Sequence, residues 1–346
     1  MFKQLKNRVN KELTKLLAET EKNYKLSAFS PFLARSIKEF ILREGKRLRP
    51  ILFIIGYLGF SPKGTPGLYR SAAAIEILHS FFLVHDDIID KAVLRRGKPS
   101  MHQAFNNYLK RYKKTKFSGE DLAIVTGDIM YALAIEAFLS IKEQPRRKEN
   151  ALRKFAAAAL YTACGEFADT FFSTKSLRKT TLKDIYVIYD YKTAFYSFVC
   201  PLTTGALLAG AAAADINKLS QYGMRIGRAF QIKDDILGIF GYPGQTGKSS
   251  LTDLQEAKKT ILIWHAYNHS LPKEQKFISK VFSKNKVQKS DLTAMRKIIR
   301  GTRSIDYAEQ EISRLLQSST DILASSKIKP DYKNTLEKYS RGLLQI

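Results

Sequence analysis

Apolar residues recur at helical spacing along most of the chain, and this periodicity limits the fold more than any other feature of the sequence. The segments that show it are 68–90, 121–141, 151–172, 182–213, 215–240, 253–269 and 305–325. Apolar residues three and four positions apart form one face of an α-helix, whereas the alternation typical of strands is scarce here. The sequence therefore predicts an all-α protein, a helix bundle.

Turn-forming residues interrupt the helical pattern at several points. They cluster at 61–67, 110–118, 144–147 and 241–247. None of these stretches is long enough to be a linker between domains, and no fixed-period repeat is present. We therefore expect one domain that covers residues 1–346.

Positive charge is in excess, because 58 Lys and Arg side chains against 32 Asp and Glu give a net charge of +26. A field of this sign attracts nucleic acid, anionic lipid headgroups or phosphorylated substrates, although it also keeps a protein in solution. One basic stretch contains Lys110, Arg111, Lys113, Lys114 and Lys116. The charge selects no single function, but peripheral contact with an anionic membrane is one expectation.

The two cysteines, Cys164 and Cys200, lack CxxC spacing, which argues against a disulfide framework or a zinc site. The N-terminal segment has amphipathic helical spacing without the continuous apolar core of a signal peptide. No run of about 18 uninterrupted apolar residues occurs, so no membrane span is expected. These features predict a soluble, cytoplasmic protein.

Two clusters of carboxylates interrupt apolar helical segments. In FFLVHDDIID, Asp86, Asp87 and Asp90 have the spacing i, i+1, i+4, so that Asp86 and Asp90 share one helix face. In FQIKDDILG, Asp234 and Asp235 form a second pair. A solvated helix edge is the usual setting of acidic residues, but apolar neighbours on both sides argue against that setting here.

Carboxylates gathered in one cavity repel each other and lose hydration, so they require a cation. Hard oxygen ligands select magnesium, which seldom sits in an all-protein cage and commonly recruits phosphate oxygens. Basic residues that suit a phosphorylated substrate occur at 45–50, 95–97, 192–193, 247–248 and Lys258. Each alone is more often a surface residue, but beside two acidic clusters they indicate a magnesium site for a phosphorylated substrate.

The segment GQTGKS at 244–249 is similar to a nucleotide-binding loop. Its glycines are two residues too close for the GxxxxGK[ST] spacing, and it follows a predicted helix where that loop follows a strand. We therefore reject a nucleotide-hydrolysing function.

The motifs resemble, in order and spacing, those of the trans-isoprenyl diphosphate synthases, also called polyprenyl synthetases. They are GKRLRP at 45–50, EILH at 76–79, HDDIID followed by RRGKP at 85–99, GD at 127–128, KT at 192–193, FQIKDDILGIFG at 230–241 and GKSSLTDLQEAKKT at 247–260. The resemblance covers roughly residues 35–325. It implies an isoprenoid-synthase-type helix bundle around a central active-site cavity, usually a homodimer. It also implies that isopentenyl diphosphate is joined to an allylic diphosphate with Mg²⁺, three ions when diphosphate is bound.

The resemblance also implies a role for each matching residue. Magnesium would be ligated by Asp86, Asp90 and Asp234, supported by Asp87 and Asp235. The allylic diphosphate would be held by Arg95, Lys192, Lys248 and Lys258. Isopentenyl diphosphate would be held by Lys46, Arg49, His79 and Arg96, and the reacting region lined by Thr193 and Gln231. Three positions depart from the family pattern: Gly238 and Tyr242 stand where aspartates are common, and Ala257 where a glycine is usual.

The aromatic pair Phe81 and Phe82 bears on product length. These residues lie five and four positions before Asp86, about one helical turn or roughly 5.4 Å beneath the metal site. Core packing is the default role of a buried phenylalanine. The pair nevertheless resembles that of farnesyl-making members of the family, so we expect a short-chain product, with C15 favoured over C20.

Three rival functions fit the sequence less well. Terpene cyclases resemble this class in the first acidic motif, but their second motif requires a Ser or Thr four residues after the Asp, where Gly238 follows Asp234. Nucleic-acid binding has only the net charge in its favour, because no zinc, recognition-helix or aromatic RNA-binding signature is present. A non-catalytic regulatory relative would have lost aspartates from one motif, whereas both motifs are intact.

Overall fold

The computed structural model describes residues 1–241 and 251–345. Its helices are α1 (Phe2–Tyr24), α2 (Leu26–Phe29), α3 (Pro31–Leu42), α4 (Leu48–Leu58), α5 (Leu68–Ile89), α6 (Met101–Leu109), α7 (Gly119–Phe138), α8 (Pro145–Phe172), a 3₁₀ turn (Leu177–Lys179), α9 (Leu182–Ile188), a π-helix (Tyr189–Val199), α10 (Cys200–Leu208), α11 (Ala213–Phe240), α12 (Thr252–Gln255), α13 (Ile261–His269), α14 (Pro272–Phe282), α15 (Lys289–Gly301), α16 (Ser304–Ala324) and α17 (Pro330–Leu344). Two short antiparallel strands, β1 (Leu94–Arg95) and β2 (Lys98–Pro99), form a hairpin.

The prediction of an all-α fold is confirmed, since the periodic segments of the sequence are helical. The segment 182–213 is divided into three, because α9 continues directly into the π-helix and then into α10. The predicted helix over 253–269 is interrupted between α12 and α13, where Ala257 has a positive φ of 51°. Within residues 1–241 and 251–345, no helix combines the length and the apolar character needed to cross a membrane.

The predicted loops agree with the structure in part. Residues 61–67 and 110–118 lie between helices, as predicted. The loop predicted at 144–147 is wrong from Pro145 onward, because α8 begins there. Proline suits the first position of a helix, where its missing N–H would have no partner in any case. Of the loop predicted at 241–247, Gly241 follows α11 and the remainder lies outside the described residues.

The described chain groups into two compact units, and the prediction of one domain stays a prediction. Unit 1 consists of residues 1–156 and 201–212. Its central helix α5 packs on α1, α4 and α7. Helices α4 and α10 approach closely because of glycine: a Cβ on Gly56 would lie 2.3 Å from the Leu202 carbonyl oxygen, and one on Gly205 would lie 2.2 Å from that of Phe53.

Unit 2 consists of residues 157–200 and 213–346, and its central helix α11 packs on α16 and on the π-helix. Glycine again sets the spacing. A Cβ on Gly227 would lie 2.5 Å from the Ala194 Cα, and one on Gly165 of α8 would lie 2.3 Å from the backbone nitrogen of Lys192. The π-helix that carries Lys192 and Thr193 is thus held close to α8 and α11. π-Helical segments are rare and are frequent at functional sites.

Candidate active site

The first acidic cluster lies at the C-terminal end of α5, in unit 1. Asp87 is fully buried, whereas the side chain of Asp86 is 21% exposed. Carboxylate oxygens of Asp86 and Asp90 lie within 4.8 Å of one another. The guanidinium of Arg95 donates from Nε to Asp87 Oδ1 at 2.7 Å and from Nη2 to Asp86 Oδ2 at 2.9 Å. Two hard oxygen ligands one turn apart suit a magnesium ion, so the residues fit the predicted metal.

The β-hairpin places Arg95 beside this acidic cluster. Burial by itself disfavours the charged guanidinium, but the hydrogen bond and negative charge of Asp87 raise the pKa of Arg95 above its usual value. The Arg43 side chain donates from Nη1 to the Arg95 carbonyl oxygen at 3.2 Å and so fixes the hairpin backbone. Arg95 therefore remains a cation beside the aspartates.

A cationic cluster surrounds His79, which is buried in α5. Burial first, and then nearby positive charges, hold the pKa of His79 well below its usual range. The charges belong to Arg49, Arg96, Arg95 and Arg47. His79 is consequently a neutral imidazole. Unit 1 therefore brings His79 together with Arg49 and Arg96, which are three of the four residues predicted to hold isopentenyl diphosphate.

The fourth, Lys46, is exposed in the loop before α4. Its neighbour Gly45 has a steric function, because a Cβ there would lie 2.9 Å from Nη1 of Arg96. Glycine thus leaves room for that guanidinium, whose Nη1 donates to the Arg43 carbonyl oxygen at 3.2 Å.

Arg47 was given no role from the sequence, and the structure assigns it one. Its side chain and that of Glu76 are each 2% exposed, and Nη1 donates to Glu76 Oε1 at 2.6 Å. Nε donates to Asn10 Oδ1 at 2.9 Å, and Nη2 donates to the carbonyl oxygens of Ile41 and Arg43. Arg47 therefore connects α1, α3 and α5.

The second acidic pair lies on α11, in unit 2. Asp234 is exposed, whereas Asp235 is buried. Gln231 Nε2 donates to Asp235 Oδ1 at 3.0 Å, and Thr193 Oγ1 donates to Gln231 Oε1 at 2.6 Å. The Tyr189 hydroxyl donates to Asp235 Oδ2. Burial raises the pKa of Asp235 well above its usual value, although both hydrogen bonds oppose this rise. Tyr189 was missed from the sequence, since one tyrosine in a periodic segment carries no signal.

Two basic residues predicted for the site in unit 2, Lys192 and Lys258, line one cavity. Lys192 Nζ lies 2.6 Å from Asp169 Oδ2 and 2.8 Å from Glu166 Oε2. Lys258 Nζ lies 2.7 Å from Glu256 Oε2. The cavity is lined by Asp169, Ile188, Tyr189, Lys192, Thr193, Gln231, Asp235, Lys258, Lys259 and Thr260. Lys248 and Tyr242 lie outside the described residues.

The turn that carries Lys258 is held by its buried neighbour. Lys259 Nζ donates to the Ser173 carbonyl oxygen at 3.1 Å and to that of Ala257 at 3.0 Å. Burial lowers the pKa of Lys259 to about 8. The positive φ of Ala257 explains why glycine is usual there, because that backbone conformation is costly for residues with a Cβ.

Gly238 also has a structural explanation. A Cβ at this position would lie 1.9 Å from Oδ2 of Asp253. The carboxylate of Asp253 therefore takes the space that an aspartate at position 238 would need.

Phe81 and Phe82 form part of an aromatic cluster beneath Asp86. The ring centroid of Phe81 lies 5.0 Å from that of Phe82 and 5.2 Å from that of Tyr131 on α7. His85 packs on Phe81 at 4.6 Å, and a Cβ on Gly127 would lie 2.3 Å from the His85 ring. The sequence did not indicate Tyr131, which reaches the pair only through the packing of α5 on α7.

Comparison with known proteins agrees with this geometry. The family model of polyprenyl synthetase matches residues 30–299. A geranylgeranyl diphosphate synthase of Saccharolobus solfataricus is 30% identical over 89% of this chain and 85% of its own. A geranylfarnesyl diphosphate synthase of Aeropyrum pernix is 32% identical over 81% of this chain and 83% of its own. The crystal structure of a geranylgeranyl pyrophosphate synthase from Corynebacterium glutamicum, complexed with isoprenyl diphosphate and magnesium, has a TM-score of 0.91 and 25% identity, covering 100% of this chain and 99% of that one. The chain therefore belongs to the polyprenyl synthetase family and is a prenyltransferase.

Proposed function

We propose that this prenyltransferase joins an allylic diphosphate to isopentenyl diphosphate with the help of magnesium and releases a short-chain prenyl diphosphate, C15 or C20. The observation that carries the proposal is the common design of the two acidic pairs. The first aspartate of each pair, Asp86 or Asp234, is accessible. The second, Asp87 or Asp235, is buried and held by hydrogen bonds. Accessible carboxylates on packed helices are suited to cations that carry a diphosphate.

Separate groups of residues would bind the magnesium ions, the allylic diphosphate and isopentenyl diphosphate. Three magnesium ions, ligated by Asp86, Asp90 and Asp234, would neutralise the charge that develops on the departing diphosphate. The allylic diphosphate is held by Arg95, Lys192, Lys248 and Lys258. Isopentenyl diphosphate is held by Lys46, Arg49, Arg96 and the neutral imidazole of His79. Preorganised cations of this kind supply much of the electrostatic stabilisation in enzymes.

Further residues prepare the carbon chemistry. Gln231 is hydrogen-bonded by both Thr193 and Asp235, and this fixed orientation of its amide supports its assignment to the reacting region. Apolar helix walls exclude water that would otherwise capture the allylic cation. That cation alkylates the double bond of isopentenyl diphosphate, and transfer of a proton to the released diphosphate restores an alkene with five more carbons.

Product analysis tests this function directly. Purified protein is incubated with magnesium, isopentenyl diphosphate and allylic diphosphates of different lengths, and the products are separated by chromatography. We expect C15 or C20 diphosphates. If no allylic substrate is extended, the proposed enzyme is overturned in favour of a regulatory relative.

The aromatic cluster predicts how product length changes. Replacing Phe81 and Phe82 with Ala should lengthen the product by one or more isoprene units, because the rings closest beneath Asp86 are removed. Product chromatography measures the shift. Phe32→Ala is the control, since Phe32 is also a half-buried ring but stacks on Tyr108 at 3.8 Å, away from this cluster. An active double variant with unchanged products would mean that the tail ends elsewhere.

A homodimer and a cytoplasmic location are further parts of the proposal. An exposed apolar stripe on α8 supports dimerisation: Leu160, Phe167 and Phe171 are 62%, 71% and 59% exposed. A second copy of the chain would cover such a stripe. Light scattering should give twice the mass of the chain, and Phe167→Lys should shift the measured mass toward that of the monomer.

The cytoplasmic location is inferred from the two cysteines. Cys164 and Cys200 lack the spacing of a disulfide framework, which fits a reducing compartment.

The basic loop after α6 supports contact with anionic membranes. Its cations at 110–116 are exposed, and so are Tyr112 and Phe117, at 55% and 50%. Lysines near an anionic surface contribute on the order of 1 kcal/mol each, and aromatic rings favour the membrane interface.

We therefore expect co-sedimentation with anionic vesicles that falls as salt increases. Replacing Lys113, Lys114 and Lys116 with Gln should weaken it, whereas the same change at exposed Lys273, Lys276 and Lys280 should weaken it less. Equal binding to neutral and anionic vesicles would contradict this proposal.

A further inference from the structure

A groove in unit 2 lies between α11 and α16, apart from the cavity described above. Its volume is about 360 Å³, within the size range of small-molecule sites. It is lined by Ser220, Gln221, Met224, Arg225, Arg228, Arg314, Leu315 and Ser318. Arg225 lies nine residues before Asp234, about two and a half turns along α11 and on the opposite side of the helix. The groove therefore does not belong to the catalytic machinery.

Two of its three arginines are held by carboxylates. Arg228 makes a bidentate pair with Asp190, from Nε at 2.6 Å and from Nη2 at 2.7 Å. Arg314 makes a bidentate pair with Glu311, from Nε and Nη2, both at 2.7 Å. The Tyr186 ring lies 4.7 Å beneath the Arg228 guanidinium, and its hydroxyl donates to Glu311 Oε1 at 2.6 Å. This network fixes both guanidinium planes before any ligand arrives.

The third arginine has only neutral partners among the described residues. Arg225 donates from Nε to the Ser318 hydroxyl at 2.8 Å and from Nη1 to the Gln221 carbonyl oxygen at 3.1 Å. Burial, and then the positive charges of Arg228 and Arg314, lower the pKa of Arg225. An anion shared by all three guanidiniums would therefore stabilise the charged form of Arg225.

Each guanidinium also retains one terminal nitrogen that makes no hydrogen bond within residues 1–241 and 251–345. These are Nη2 of Arg225, Nη1 of Arg228 and Nη1 of Arg314. All three arginines line the groove, together with Ser220. Three charged donors match in number the three terminal oxygens of a phosphomonoester, and the planar guanidinium suits the geometry of phosphate oxygens.

We propose that this groove is a binding site for a phosphate group, either inorganic phosphate or the phosphate of a small phosphomonoester. The apolar side chains of Met224 and Leu315 in the same groove leave room for the organic part of such an ester. The site is independent of the proposed catalytic function, and the loss of either one leaves the other intact.

Isothermal titration calorimetry tests the site with the whole chain. Inorganic phosphate and, in a second series, glycerol 3-phosphate are titrated at constant ionic strength in metal-depleted buffer, so that no magnesium can carry phosphate to the aspartates. Arg225→Gln should weaken binding of both ligands about tenfold or more, the loss expected for one charge-assisted hydrogen bond. Arg153→Gln makes the same change in charge at a side chain that is 74% exposed and should leave binding unchanged.

The two ligands distinguish the two sources of phosphate. Binding of both shows a site for phosphomonoesters, and binding of inorganic phosphate alone shows a site for the free ion. Ser318→Ala, which removes the hydroxyl that holds Arg225, is the second variant if Arg225→Gln does not fold, and it should weaken binding in the same direction. Equal affinity in the Arg225 and Arg153 variants, or no binding of either ligand to the unmodified protein, would overturn the proposal.

Discussion

Replacing Asp86 or Asp234 with Asn is expected to lower kcat by about 10²–10³-fold, or about 3–4 kcal/mol in transition-state stabilisation. Asparagine keeps the size of the side chain but removes the negative charge that a magnesium ion requires. Neither carboxylate is fully buried, so the fold should survive the change. Steady-state kinetics with an allylic diphosphate and isopentenyl diphosphate measure the effect. Titration of magnesium in the presence of inorganic diphosphate provides a second readout, in which both variants should bind more weakly.

Asp306→Asn is the matched control. Asp306 is 49% exposed and pairs with Arg303 on the surface, so its loss should leave kcat within twofold of the original value. Removal of magnesium by a chelator should abolish turnover in every form of the protein, and added magnesium should restore it. Near-native turnover in chelator, or in both variants, would contradict the metal mechanism.

Arg47→Met is expected to lower the free energy of unfolding by about 3–5 kcal/mol, because it removes the hydrogen-bonded cation of the buried Glu76 carboxylate and leaves only Arg96, whose Nη2 lies 3.9 Å from Glu76 Oε1. The change also removes the hydrogen bond to Asn10 and those to two backbone carbonyl oxygens. A loss of this size is a large fraction of the stability of most domains. Urea unfolding followed by circular dichroism measures it.

Two further variants separate the ion pair from simple loss of packing. Arg153→Met removes an arginine whose side chain is 74% exposed and should change stability by less than about 0.5 kcal/mol. The double variant Arg47→Met with Glu76→Met should recover part of the loss, because neither charge of the buried pair remains. If Arg47→Met and Arg153→Met are equally stable, the buried pair of Arg47 and Glu76 does not stabilise the fold.

Residues 45–50 illustrate how far the sequence could assign individual roles. The motif GKRLRP indicated a cationic site, and the structure brings Arg49 together with His79 and Arg96. It could not indicate which cation is buried, because the environment of Arg47 depends on Glu76, 29 residues later, and on Asn10, 37 residues earlier. Partners this far apart leave no local pattern.

The paired aspartates show the same limit. Adjacent residues on a helix point in different directions, so one member of each pair had to be more buried than the other. Only the packing decided that Asp87 and Asp235 are the buried members and that Arg95 and Tyr189 hold them. The sequence marked Gly238 as a departure from the family pattern, but only the structure places Asp253 against it.

The sequence by itself determined the all-α class, most helix positions and the chemical character of the site, because helical periodicity and clustered carboxylates are local patterns. Tertiary structure alone decided the π-helix at Tyr189–Val199, the aromatic contact of Tyr131 with Phe81 and the groove of three arginines. Each of these depends on backbones that approach closely, or on side chains that meet across helices distant in sequence. Such contacts follow from the packing of whole helices, whose relative positions no short segment specifies.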